Sequence, residues 1–185
     1  MDLDLFLASI SARFDADLRE ELNAQVEELA DAERVAITLN SRIRSAFGGP
    51  LNVILRGGQR VRGIVVETGK DWVLIREGVY HCLVHTPAIV AAYPLGAADA
   101  RSGPTADGPG IGYLLRELAQ EKIAVAIGHD AGEQSGIVGG VYADHFDVDT
   151  SGTRAIDTRD QWSAPVISLQ INGIRWIRMN DFQRA

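Results

Sequence analysis

Cysteine is almost missing from this chain. Cys82 is the single one in 185 residues, so no disulfide can form within the chain and nothing calls for an oxidising compartment. Long apolar runs are missing too: no stretch approaches the ~18 consecutive residues of a membrane-spanning helix. The opening Met1-Asp2-Leu3-Asp4 is acidic, whereas a signal peptide starts basic and continues apolar. A cytoplasmic location is expected, with no membrane contact. Basic excess is also lacking. The net charge is −7, which repels phosphate backbones at long range.

The signatures of common chemistries are absent as well. Gly108-Pro109-Gly110-Ile111-Gly112 opens a helical stretch, and a helix N-terminus can hold phosphate. A phosphate loop would also need Gly-Lys-Ser/Thr, and a dinucleotide turn would follow a strand. Here the glycines follow a linker-like stretch. No Gly-x-Ser-x-Gly occurs, and no Ser, His and Asp set has supporting context. His81, Cys82 and His85 form the densest group of metal-capable side chains. On a strand His81 and Cys82 point to opposite faces, and zinc needs three or four converging ligands. Asp144-His145-Phe146-Asp147-Val148-Asp149 places its polar residues on one strand face and its apolar ones on the other, which is what a half-buried strand requires. The expectation is no enzyme, no cofactor and no metal.

What is present is unevenly charged and clearly patterned. Residues 1–45 hold ten acids and five bases; residues 46–95 hold three acids and five bases. Residues 9–46 contain neither Gly nor Pro. Leu18, Leu22, Gln25, Leu29, Ala32, Ala36, Leu39, Ile43 and Ala46 recur at alternating spacings of four and three, a heptad pattern. That predicts a long helix over residues 1–46, lying on its own domain or joining two chains as a coiled coil. A break near Asp31 into two helices is an equal alternative. Gly48-Gly49-Pro50 stops it.

Beyond Pro50 the period becomes two. Leu51, Val53 and Leu55 precede a Gly57-Gly58 turn. Val61, Gly63 and Val65 follow, then Asp71 to Ile75, His81 to Val84, and Ile89 to Ala92. Five short strands with tight turns over 47–95 predict a small barrel. Residues 96–110, rich in Gly, Pro and Ala, read as a linker. The pattern then returns over 111–180. A helix from Tyr113 to Glu121 precedes Ile123, Val125 and Ile127, an Ala131-Gly132 turn, Gly136-Ile137-Val138 and Asp144 to Val148. Val166 to Leu169 and Ile174 to Ile177 supply the last strands. An internal duplication is the expected origin.

The repeated unit of helix, apolar strand, Gly-x-Val and Asp-x-Val/Phe resembles the Sm-like barrel, in which one helix precedes five strongly bent strands. Gly63 and Gly136 would sit where a strand bends too sharply for a side chain. The chain also resembles an uncharacterised actinobacterial family with an acidic N-terminal helix, here with Glu33-Arg34, and a barrel carrying Gly63-Ile64-Val65 and Asp71-Trp72-Val73. The resemblance implies a mainly β fold with an N-terminal α segment: a long helix, then two tandem five-stranded Sm-like barrels, the second preceded by a short helix. RNA-binding Sm-like proteins carry an Asp-x-Asn motif and a late Arg-Gly or Lys-Gly pair. This chain has Trp72-Val73 after Asp71 and no such pair in its first barrel.

The leading functional expectation is a non-enzymatic protein-interaction or adaptor module that self-associates, with a homodimer through the N-terminal helix as one route and a protein partner as another. The alternative is a regulator binding RNA or DNA through the first barrel. Arg56, Arg60 and Arg62 flank the first hairpin there, and Trp72 and Tyr80 offer stacking surfaces. Leu74 shares the Trp72 face, where the second copy carries His145 and Asp147. These six residues are the candidate interaction surface, and the N-terminal helix is the expected cover for the apolar face.

Overall fold

The computed structural model describes residues 26, 28, 30, 34–97, 108–151 and 165–180. The chain divides after Thr38 into two units, and the ten strands of the described residues all belong to the second. A short helix, Leu39–Arg44, precedes β1 (Pro50–Leu55), β2 (Arg60–Thr68), β3 (Trp72–Glu77), β4 (Tyr80–His85) and β5 (Ile89–Tyr93). The Ile111–Gln120 helix precedes β6 (Ala124–His129), β7 (Gly132–Val141), β8 (His145–Asp149), β9 (Val166–Gln170) and β10 (Ile174–Asn180). The strands run where the alternating apolar residues place them.

Local chemistry accounts for the turns and bends. Gly57 and Gly58 both adopt positive φ, at 81° and 82°, which lets the β1–β2 hairpin turn without side-chain strain. Gly63 and Gly136 do a different job. A Cβ at Gly63 would lie 2.1 Å from the Arg76 carbonyl oxygen, and one at Gly136 would lie 2.2 Å from that of Asp149. The two strands cross so closely there that only glycine fits. Register shifts at Val65/Glu67 and Val138/Val141 add to the bending.

The expected pair of separate five-stranded barrels is not what forms. The ten strands make one antiparallel sheet in the order β5-β1-β2-β3-β4-β10-β6-β7-β8-β9. The two halves join because the last strand, β10, pairs with β6 on one side and with β4 on the other. Side-chain alternation explains why the joint is stable. Trp176 on β10 enters the core formed by Val53, Val65, Val73, Cys82 and Val84, while its neighbour Ile177 enters the core formed by Leu115, Ile127, Phe146 and Leu169. On β3 and β4, Trp72 and Leu83 face the second core, and Val73, Cys82 and Val84 face the first. The segment β3-β4-β10 is thus a wall buried on both faces. Such strands read as continuous apolar runs rather than alternation, as Trp72-Val73-Leu74-Ile75 and Cys82-Leu83-Val84 do. A closed barrel would leave one of these faces in water.

The expected continuous helix over residues 1–46 is also corrected. Residues 34–36 are helical, Ile37 and Thr38 are not, and a new helix begins at Leu39. Among the described residues no helix exceeds the ten residues of Ile111–Gln120. Ile43, a member of the predicted heptad seam, is fully buried in the chain's own first core, so that position is not available to a coiled coil. The heptad positions from Leu18 to Leu29 and Ala32 lie outside the described residues. None of the described helices is long and apolar enough to cross a membrane.

Candidate interaction edges

An open sheet ends in two strands whose outer backbone groups have no ladder partner. Among the described residues these are β5 and β9. Which residues point outward follows from hydrogen bonds at the strand ends, because backbone groups alternate sides along a strand. In β9, the Pro165 carbonyl accepts from Thr150 N–H at 2.8 Å and Ile171 N–H donates to the Asp144 carbonyl at 2.8 Å, both toward β8. Ile167 and Leu169 share that direction, so Val166, Ser168 and Gln170 present their N–H and C=O groups outward. In β1, Leu55 N–H donates to the Gln59 carbonyl on the β2 side. Ile54 and Asn52 therefore face β5, opposite Ala91 and Tyr93, and Val90 and Ala92 present theirs outward. Pro94 follows β5 and supplies no N–H.

The side chains on these edges are uncharged. Ile89-Val90-Ala91-Ala92-Tyr93 and Val166-Ile167-Ser168-Leu169-Gln170 hold no acid and no base. Val90 is 62% exposed, Tyr93 48% and Val166 49%. The interior strands differ: β2 and β3 expose Arg60, Arg62, Glu67 and Arg76. A trough of about 890 Å³ is lined by Tyr80, Ala126, Ser135, Ile137, Asp149 and Arg178 among others. Arg178 and Glu77, 3.2 Å apart, pair within its lining.

The six residues singled out from sequence are dispersed. Arg56 is held at the junction of the halves, donating to the Asn172 carbonyl at 2.7 Å and pairing with Asp130 at 3.2 Å. Arg60 and Arg62 are exposed on β2. Trp72 is buried, and its Nε1–H donates to the Pro109 carbonyl at 2.7 Å. It packs in one core with Ile111 and Leu115, so among the described helices it is Ile111–Gln120 that covers that face, whereas Ile43 of Leu39–Arg44 packs in the other core. Leu74 is half-buried against the same core. Tyr80 is exposed at the opposite end of the β3–β4 hairpin from Trp72 and lines the trough. The edge strands were missed because their signal is an absence of charge, which shows only once the strand order is known.

His85, His129 and Cys82 are buried and held by the fold. His85 is buried, and its Nδ1–H donates to the Ile174 carbonyl at 3.3 Å. Its Nε2 lies 4.0 Å from Asp71, whose other oxygen accepts from Ile111 N–H at 2.7 Å and so caps the second helix. Burial lowers the His85 pKa below its ordinary value, with Asp71 opposing. His129 accepts the Ala131 N–H at Nδ1 and therefore donates from Nε2 to the Gln170 carbonyl. Cys82 is fully buried, and desolvation, assisted by Glu77, pushes its thiol up to about 12, a range in which the nucleophilic thiolate is scarce. Among the described residues no three His, Cys, Asp or Glu side chains converge on a metal position. No protein-family model and no curated protein matches the chain.

Proposed function

We propose that this protein is a non-enzymatic interaction module that works by accepting further strands at the open edges of its sheet, including those of its own copies. The observation that carries this reading is the absence of charge on both edge strands among the described residues. Proteins often guard such edges with charge; β5 has a register shift against Ile54/Leu55 and is followed by Pro94, but neither edge strand carries a charge. Strand addition supplies affinity through main-chain hydrogen bonds and selectivity through alternate side chains. It needs no convergent polar set, which fits the scattered placement of the arginines and aromatics.

Hydrogen exchange on the full chain, read as a function of protein concentration, tests the proposal. Amides of Val90, Ala92, Ser168 and Gln170 are expected to exchange freely when dilute and to gain protection as concentration rises. The amides of β3, β4 and β10 stay protected throughout. Edge amides whose exchange is independent of concentration would refute self-association through the edges.

A further inference from the structure

The strand register says which side chains share the trough. On β6, Val125 and Ile127 enter the second core, so by alternation Ala124 and Ala126 point to the opposite face. Ala126 stands opposite Arg178 on β10 and opposite Ser135 on β7. Ala124 stands opposite Ile137, which in turn stands opposite Asp149 on β8. Side chains directly opposite one another in a ladder lie on one face. Three strand spacings of about 4.8 Å put β10 and β8 about 14 Å apart along the sheet. The β3–β4 hairpin adds Glu77 and Tyr80 to the lining.

The size and lining fit a small molecule. A volume of about 890 Å³ falls in the range of ligand pockets, about 300–1,000 Å³. Ala124 and Ala126 present no more than methyl groups to it. Beside them Ile137 stays exposed although it is apolar, and Tyr80 adds an exposed aromatic ring. An apolar lining with a few fixed polar groups is the usual composition of such a site.

Among the described residues three charged side chains line the trough, and two of them cancel. Glu77 is engaged on both oxygens: Oε2 accepts from Arg178 at 3.2 Å, and Oε1 accepts from the Arg62 N–H at 3.2 Å. The Arg178 guanidinium also lies 4.6 Å from the Trp176 ring centroid. An anion approaching Arg178 would therefore meet the Glu77 carboxylate as well. Asp149 differs. Its Oδ1 accepts from the Ser151 N–H at 2.9 Å and from the Ser151 hydroxyl at 2.6 Å, which holds its carboxyl below the usual carboxylate range. Among the described residues no basic group pairs with it. One uncompensated negative charge thus stands beside apolar surface.

We propose that the trough binds a small amphipathic monocation, with a flat aromatic body over Ala124, Ala126 and Ile137 and an ammonium or amidinium group on Asp149. Covering the alanines and Ile137 removes apolar surface from water. Pairing with Asp149 orders little that is not already ordered, because Ser151 holds the carboxylate in place. The chain's net charge of −7 favours cations over anions near its surface. The site needs no backbone ladder, so it stands or falls apart from strand addition at β5 and β9.

Three probes of one shape and different charge test it: 2-naphthylmethylammonium, 2-naphthylmethanol and 2-naphthoate. Each is titrated at neutral pH into the full chain, and amide shifts are read by nuclear magnetic resonance. The ammonium probe is expected to give saturable shifts at Ala124, Ala126, Ser135 and Ile137, to bind tighter than the alcohol, and the alcohol tighter than the carboxylate. Asp149→Asn keeps an acceptor for Ser151 and removes the charge. It is expected to weaken the ammonium probe about fivefold, the worth of an exposed ion pair, and to leave the alcohol unchanged. Ala124→Phe places a ring in the trough and is expected to abolish binding of all three. No saturable shift with any probe, or shifts centred elsewhere, overturns the proposal. So does equal affinity for ammonium and alcohol, or a carboxylate that binds tightest, which would make the trough an anion site on Arg178. An Asp149→Asn change that weakens all three probes alike, or none, overturns the role of Asp149, and binding that survives Ala124→Phe overturns the location.

Discussion

Replacing Trp176 with alanine tests whether the sheet is one cooperative body. Trp176 lies on the last strand, yet its indole is buried in the core of the first half, 2% exposed. Its Nε1–H donates to the Gln59 side chain, and the Arg178 guanidinium lies 4.6 Å from the ring centroid. Burying about 200 Å² of aromatic surface at about 25 cal/mol/Å² gives about 5 kcal/mol as an upper figure. Measured truncations of buried tryptophan cost about 3–5 kcal/mol. Against a total stability of about 5–15 kcal/mol, a loss of about 4 kcal/mol is severe. Because β10 walls both cores, the loss is expected to move a single transition that includes the second half. Urea unfolding followed by far-ultraviolet circular dichroism reads this directly. Gly128→Ala is a companion, since its Cβ would sit 2.1 Å from the indole nitrogen and displace the ring. Two separate wild-type transitions, only one of them shifted by the Trp176 change, would refute the shared wall. So would a loss under about 1 kcal/mol, far below the truncation range.

His85 makes stability pH-dependent with a defined sign. Its pKa is lowered in the folded state, so the unfolded chain binds the proton more readily; stability is full above the ordinary histidine value of about 6.5 and falls as the pH drops from there toward the folded pKa. Urea midpoints taken down that range are expected to decline in the wild type and to decline less in His85→Gln; equal slopes would refute the assignment. Salt separates the two functional readings. Copies carrying −7 each repel, and raising salt from 0.1 to 1 M shortens the screening length from about 10 to about 3 Å, so edge association is expected to strengthen in light scattering. Binding to phosphate backbones would weaken instead, and association that weakens with salt would refute the edge mechanism.

Most of the strand positions were legible because their cause is local. Leu51-Val53-Leu55 and Val125-Ile127 alternate, and Gly57-Gly58 turns, whatever lies across the sheet. The glycines at 63 and 136 were legible for the same reason: no other residue survives a carbonyl at about 2 Å. What local pattern does not carry is the identity of the neighbour across an edge. β4 is buried along Cys82-Leu83-Val84-His85, and that run signals a strand with cores on both sides, but it does not say which strand supplies the second. The choice of β10, 90 residues or more along the chain, depends on shape and register of the folded halves. The surface reading dispersed for a related reason. Trp72 looks like a stacking platform in an isolated barrel and becomes core once the second half is laid against it.

The joint between β4 and β10 also bears on what the edges can do. Its ladder is made of backbone groups, which every residue but proline supplies, so sequence alone does not forbid an added strand at a free edge. Side chains decide whether such a pairing is permitted or blocked. On β2 and β3 the exposed positions carry Arg60, Arg62, Glu67 and Arg76, charges that would oppose an incoming strand. On β5 and β9 they carry Val90, Tyr93, Val166 and Ser168. The chain thus places charge where the ladder is already satisfied and withholds it where the ladder is open.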